Sequence, residues 1–263
     1  MSPAEMGIKA MPRILRRVQR AWQNSAEPRK PRLPDGTCIY AVGDIHGCAN
    51  QLAKVFAAID HHVSRVRPKR PIQVFLGDYI DRGPASSQVI DMLIDRGQRH
   101  ETIFLKGNHE AMLLDLLRDP EILLTFRQYG GLPTLLSYGL TPSLNPDHDE
   151  QQALIGELVQ KIPDPHRRFF DDLRPKFFCG DFLFVHAGVR PGIPLLKQKE
   201  EDLLWIREEF LSSAKNFGKF IVHGHTPVSK PDIRPNRINI DTGAYATGVL
   251  TLLTIQGDHM FTI

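Results

Sequence analysis

The stretch Cys38-Ile-Tyr-Ala-Val42-Gly43-Asp44-Ile45-His46-Gly47 sets five apolar residues directly before a loop carrying a carboxylate and an imidazole. An unbroken apolar run of this length suits a strand covered on both faces, and Gly-Asp opens a turn, so a buried strand should stop at a polar loop. The pattern recurs. Ile72-Gln-Val-Phe-Leu76 leads into Gly77-Asp78-Tyr79-Ile80-Asp81-Arg82-Gly83, and Thr102-Ile-Phe-Leu105 leads into Gly107-Asn108-His109-Glu110. Helical patterns fill 51–65 and 87–96 between these runs, and strand, loop and helix repeated in that order imply a parallel sheet with covering helices. Later runs, Phe182-Leu-Phe-Val185, Phe220-Ile-Val222, Arg237-Ile-Asn-Ile240, 248–255 and 260–263, follow one another with short turns. The fold class that reconciles both halves is α/β, a mixed two-sheet β-sandwich flanked by helices. Residues 110–174 are helical in pattern, with breaks at Tyr129-Gly-Gly131 and Ser137-Tyr-Gly139, and read as a helical cap over the strand ends.

At 263 residues and 41% hydrophobic content, one domain with a sizeable core is expected. Cys38, Cys48 and Cys179 lie far apart and odd in number, which argues against a disulfide framework or a zinc ribbon. No run of about 18 apolar residues and no secretory signal pattern occur, so a cytoplasmic protein without stable membrane association is expected. The net charge of +3 is uneven: residues 1–34 hold eight Lys/Arg against Glu5 and Glu27, leaving −3 for the remainder. That removes the case for a nucleic-acid face on the body. The expected division is a basic leader with a Pro-rich linker, 1–36, and a folded domain, 37–263. Within the leader, residues 11–22 show amphipathic helical spacing, which leaves a disordered tail, a packed helix or a weak membrane-surface anchor as readings.

In open α/β sheets the functional crevice lies beyond the carboxyl ends of the strands. Here each such position carries a metal-ligand type, including His186-Ala-Gly188 after the Phe182 run and His223-Gly-His225-Thr226 after the Phe220 run. Singly these signals are weak, since Gly-Asp is a common turn and a lone His is usually a core or capped residue. Together they have no packing explanation, because so many buried polar groups would stay unpaired without a cation.

The set GDIHG, GDYIDRG, GNHE, HAG and GHT resembles the signature of the phosphoprotein phosphatase family of calcineurin-like metallophosphoesterases, and is most similar to bacterial and bacteriophage serine/threonine protein phosphatases. The likeness covers residues 37–263. It implies that Asp44, His46 and Asp78 hold one divalent ion, and that Asp78, Asn108, His186 and His225 hold a second, with Asp78 bridging. Two ions so held activate a water for in-line attack on phosphorus, and the donor types suit Mn²⁺, Fe or Zn²⁺, with Mn²⁺ expected. The resemblance makes His109 the proton donor to the leaving oxygen, with Asp81 orienting it, and makes Arg82, Arg207 and Asn108 phosphate-binding. His223, Asn239 and Asp241 are expected beside the ligands rather than among them.

The implied substrates are phosphorylated proteins or peptides, the enzyme acting as a monomer, with dinucleoside tetraphosphate hydrolysis or broad-specificity phosphoesterase activity as the alternative. In the tetraphosphatases the second motif usually lacks the Asp before Arg, the third ends in Asp, and Trp follows the last His. Asp81, Glu110 and Thr226 stand at those places here and point to the protein phosphatases. A non-catalytic scaffold would be expected to lose ligands or the acid pair, and none is missing.

Overall fold

Strand β1 (Thr37–Val42) is buried along its whole length, followed by α1 (Ala49–Val66), β2 (Arg70–Phe75), α2 (Ser86–Arg99) and β3 (Thr102–Phe104). The structure, a computed structural model, describes residues 30–262; the helix expected over 11–22 lies outside them. Helices α3 (Asn108–Leu116), α4 (Leu123–Gln128), α5 (Leu132–Ser137), α6 (His148–Lys161) and α7 (Asp164–Asp171) come next. The chain then runs through β4 (Lys176–Cys179), β5 (Phe182–Val185), α8 (Glu200–Trp205), α9 (Glu208–Leu211), β6 (Phe220–His223), β7 (Asp232–Ile233), β8 (Arg237–Asn239), α10 (Ala244–Thr247), β9 (Leu252–Gln256) and β10 (His259–Thr262).

Among the described residues two five-stranded sheets form, in the orders β10-β9-β1-β2-β3 and β4-β5-β6-β8-β7. Three parallel strands run together in each, β1-β2-β3 and β5-β6-β8, with antiparallel β9 and β10 added beside β1 in the first sheet and antiparallel β4 and β7 at the two margins of the second. Because side chains alternate across a strand, one set faces the other sheet and the next faces helices. Ile39, Ala41, Ile72 and Val74 meet Phe182, Phe184, Val222 and Ile238 between the sheets. Tyr40, Val42 and Phe75 point the other way, onto Leu52, Val55 and Ile59 of α1 and Val89, Ile90 and Leu93 of α2. On the far side Leu183, Val185 and Ile221 pack on Leu203, Ile206 and Phe210. The expected mixed sandwich flanked by helices is the observed fold.

Four local features differ from the sequence reading. Lys176–Cys179, not expected as a strand, pairs antiparallel with β5, and the two-residue β7 pairs with β8. The run expected as a strand from 248 begins at Leu252, because Gly248, with φ of 73°, closes the short helix α10 first. Residues 32–34, read as linker, lie against the body: Leu33 is buried and its N–H donates to Gly257 O, while Asp181 N–H donates to Arg32 O. Residues 110–174 are helical as expected, and among the described residues no helix is long and apolar enough to cross a membrane.

Candidate active site

Among the described residues six non-glycine positions adopt the left-handed region, and five of them sit in the strand-end loops: His46 (φ 46°), Asp78 (52°), Asp81 (71°), Arg82 (64°) and His225 (69°). Each costs about 1 kcal/mol or more for an L-residue and persists only where surrounding bonds impose it. Those bonds are present. The Glu110 carboxylate accepts from the N–H groups of Gly107 (3.0 Å), Asp78 (2.9 Å) and Tyr79 (2.7 Å), and Asp78 O accepts from the His46 N–H at 2.8 Å. Gly107 has no room for a side chain, since a Cβ there would run into the Asp78 carboxylate and main chain.

These loops bring Asp44, His46, Asp78, Asn108, His109, His186 and His225 together, all of them buried. The two oxygens of Asp78 face different neighbours: Oδ1 lies 3.3 Å from His186 Nε2, and Oδ2 lies 3.6 Å from His46 Nε2. Asn108 Oδ1 is 2.9 Å from His186 Nε2 and 2.8 Å from His225 Nδ1. His186 Nδ1 is 2.9 Å from Leu76 O and His46 Nδ1 is 2.8 Å from Ile80 O, so each ring donates that hydrogen outward and turns a lone pair inward. Among the described residues two clusters have ligand atoms within 4.8 Å of one another, Asp78 with His186 and His225, and Asp78 with His46 and His109. Asp44, expected beside His46 and Asp78, stands outside both; its Oδ2 accepts from His225 N–H at 2.9 Å.

Lone pairs converging on lone pairs in a buried site call for a cation. Asp44 Oδ1, His46 Nε2 and His225 Nε2 are buried without a hydrogen-bond partner, and carboxylate, imidazole and amide donors fit divalent ions. The protonation states agree. Burial above all pushes His46 down to about 3 and His225 to about 2, and holds His186 low, so all three are neutral imidazoles, the ligating form. Burial and the neighbouring carboxylates of Asp241 and Asp78 raise Asp44 well above the usual range, and burial lifts Asp241 to about 6. A bound cation would reverse that penalty.

His109 behaves differently. Burial disfavours its charge, but Asp78 and the hydrogen bond to Asp81 outweigh burial, and its pKa is raised. Its Nδ1 is 2.6 Å from Asp81 Oδ2, and its Nε2 is 3.2 Å from Arg82 Nη2. The Arg82 guanidinium lies over the Tyr245 ring, 4.9 Å from its centroid. Arg207 is exposed, just before α9, on an open groove of about 300 Å³ that it lines with Trp205, Glu201 and Glu208. Its charge joins those lowering His186 and His225, after burial.

Asn239 and Asp241 brace the loops. Asn239 donates to Thr226 O at 2.7 Å and accepts from Asp241 N–H at 3.0 Å, and Asp241 Oδ1 accepts from Gly243 N–H at 2.9 Å. His223 packs 5.0 Å from the Phe210 ring, in the layer behind the sheet. Sequence reasoning missed Thr134, Ser86 and Tyr245. Thr134 and Ser86 are fully buried against Asp81, yet nothing in their local text differs from an ordinary helix.

Residues 39–249 match a family model described as calcineurin-like phosphoesterase. A bis(5'-nucleosyl)-tetraphosphatase, PrpE, of Anoxybacillus flavithermus is 26% identical over 235 residues, covering 81% of this chain and 88% of that protein. Serine/threonine-protein phosphatase 1 of Salmonella typhimurium is 30% identical over 227 residues, covering 83% and 92%. The crystal structure of a candidate diadenosine tetraphosphatase superposes with a TM-score of 0.59 at 19% identity, over 89% of this chain and 98% of that one.

Proposed function

The chain belongs to the calcineurin-like phosphoesterase family and is a metallophosphoesterase, and from that premise we propose that it is a phosphoprotein phosphatase acting on serine and threonine phosphomonoesters. The observation carrying the mechanism is Asp78, whose two oxygens address His186 on one side and His46 on the other. Asp44, His46 and Asp78 would hold one ion, and Asp78, Asn108, His186 and His225 the other. When bound, the two ions supply Lewis acidity toward the phosphate and activate the attacking water.

The remaining work falls to the chain. Arg82 and Arg207 bind the phosphoryl oxygens, where a guanidinium fork matches the geometry and offsets growing equatorial charge; Asn108 adds its amide. Asp81 holds His109 protonated and turned, and His109 Nε2 gives its proton to the departing alkoxide, a step worth roughly 10²- to 10⁴-fold. The 3.2 Å between Arg82 Nη2 and His109 Nε2 supports reading them as clamp and acid for one phosphoryl group.

Asp81, Glu110 and Thr226, and the serine/threonine phosphatase relative at 30% identity, support the phosphoprotein reading. The second reading, dinucleoside tetraphosphate hydrolysis, is favoured by the relatives named as tetraphosphatases at 26% identity. The deciding test strips the protein with chelator, restores Mn²⁺, and compares rates on phosphoserine, phosphothreonine and phosphotyrosine peptides with diadenosine tetraphosphate. Faster turnover of the peptides supports the first reading. A kcat/KM at least tenfold higher on the tetraphosphate overturns it, and full activity in metal-free protein overturns both.

A further inference from the structure

Asp81 and Arg82 are consecutive non-glycine residues in the left-handed region, and both bond to residues around the start of α5, Gly130 in the turn before it and Thr134 in its first turn. Gly130 O accepts from Arg82 N–H at 2.8 Å. The Thr134 hydroxyl donates to Asp81 Oδ1 at 2.6 Å and accepts from Asp81 N–H at 2.8 Å, with Ser86 Oγ 2.9 Å away. Asp81, Thr134 and Ser86 have no solvent exposure, so water cannot replace these bonds. One Asp81 oxygen is therefore committed to Thr134 and the other to His109 Nδ1.

We infer that Thr134 is a positioning residue for the reaction: its hydroxyl fixes the Asp81 carboxylate and thereby aims His109 at the leaving oxygen. Without that hydroxyl, Oδ1 loses its buried donor and the carboxylate can rotate about its Cβ–Cγ bond, which loosens the bond to His109. Thr134 starts no chemistry and touches no substrate. It ties the helical segment after the third motif to the acid, so this segment sets the geometry of proton transfer. The inference rests on the reading of His109 as proton donor.

The test uses manganese-loaded enzyme and two substrates, a phosphoserine peptide with a basic leaving group and p-nitrophenyl phosphate with an activated one. Thr134→Val, close in volume but lacking the hydroxyl, should lower kcat on the peptide roughly 10-fold and on the nitrophenyl ester less than about 2-fold, with KM and metal content unchanged. Thr134→Ser should restore the peptide rate. Equal losses on both substrates, or no recovery in Thr134→Ser, would overturn the inference. If Thr134→Val does not fold, Thr134→Ala is held to the same criteria. His109→Asn, measured in parallel, separates the two levels: leaving-group dependence there but not in Thr134→Val sinks the positioning role alone. Equal loss on both substrates in His109→Asn sinks the acid reading and the positioning role with it.

Discussion

Asp81 Oδ2 lies 2.6 Å from His109 Nδ1, in a site where both residues are almost wholly buried. With Nδ1 turned to Asp81, Nε2 is the end of the ring left for the substrate. Asp81→Asn keeps the shape but removes the charge that favours the imidazolium. We predict that it slows a phosphoserine peptide by about 10-fold, while an activated aryl ester, which needs little protonation, loses much less. Rates on the two substrates, with bound metal quantified, check this; parallel losses would remove Asp81 from the acid.

The split contacts of Asp78 make a second prediction. Asp78→Asn deprives two cation positions of one shared charge, so it should cost more than either Asp44→Asn or His186→Asn, on the order of 10³-fold in kcat. Elemental analysis should find fewer than two ions per chain. Two retained ions with near-normal turnover would show that Asp78 does not bridge.

Arg207 is exposed on its groove. Arg207→Ala should lower kcat by roughly 10²- to 10³-fold, the scale for one preorganised charge stabiliser, with both metals retained and the melting temperature unchanged. Unaltered kinetics would leave it as a solvated arginine.

His223 should shape the acid stability of the metal-free protein. Burial lowers its pKa from 6.5 to about 3, so between those values the unfolded chain binds a proton that the folded chain does not. Stability therefore falls as pH drops below 6.5, by about 2 kcal/mol at pH 5 from this group alone. In His223→Gln the acid limb of a chemical denaturation series should be shallower by about one proton. An unchanged slope would mean that His223 is already charged in the fold.

Truncation distinguishes the leader from the body. Removing residues 1–29 should leave activity unchanged, since no candidate site residue precedes Asp44. Removing 1–34 also takes away Leu33, only 2% exposed, and should cost about 2 kcal/mol, or roughly 5 °C in melting temperature. Equal stability of the two truncations would contradict the packing of Leu33.

Much of the molecule was legible in the sequence because its determinants are local. Apolar runs such as Ile72-Gln-Val-Phe-Leu76 reveal strands through their length and flanking glycines, and a parallel arrangement sends the loops of one sheet to the same edge, which groups Asp44, Asp78 and Asn108; that His186 and His225, after strands of the second sheet, meet them there was decided by how the two sheets pack. The tertiary structure alone decided what sequence distance conceals. Thr134 reaches Asp81 across 53 positions, Asp44 Oδ2 caps the His225 N–H across 181, and Leu33 docks beside Gly257. None has a local signature, because a threonine on a helix or a leucine among prolines looks the same wherever it packs. The left-handed backbone at His46, Asp78, Asp81 and Arg82 was equally hidden: L-residues avoid that region, and only hydrogen bonds from distant segments hold them there.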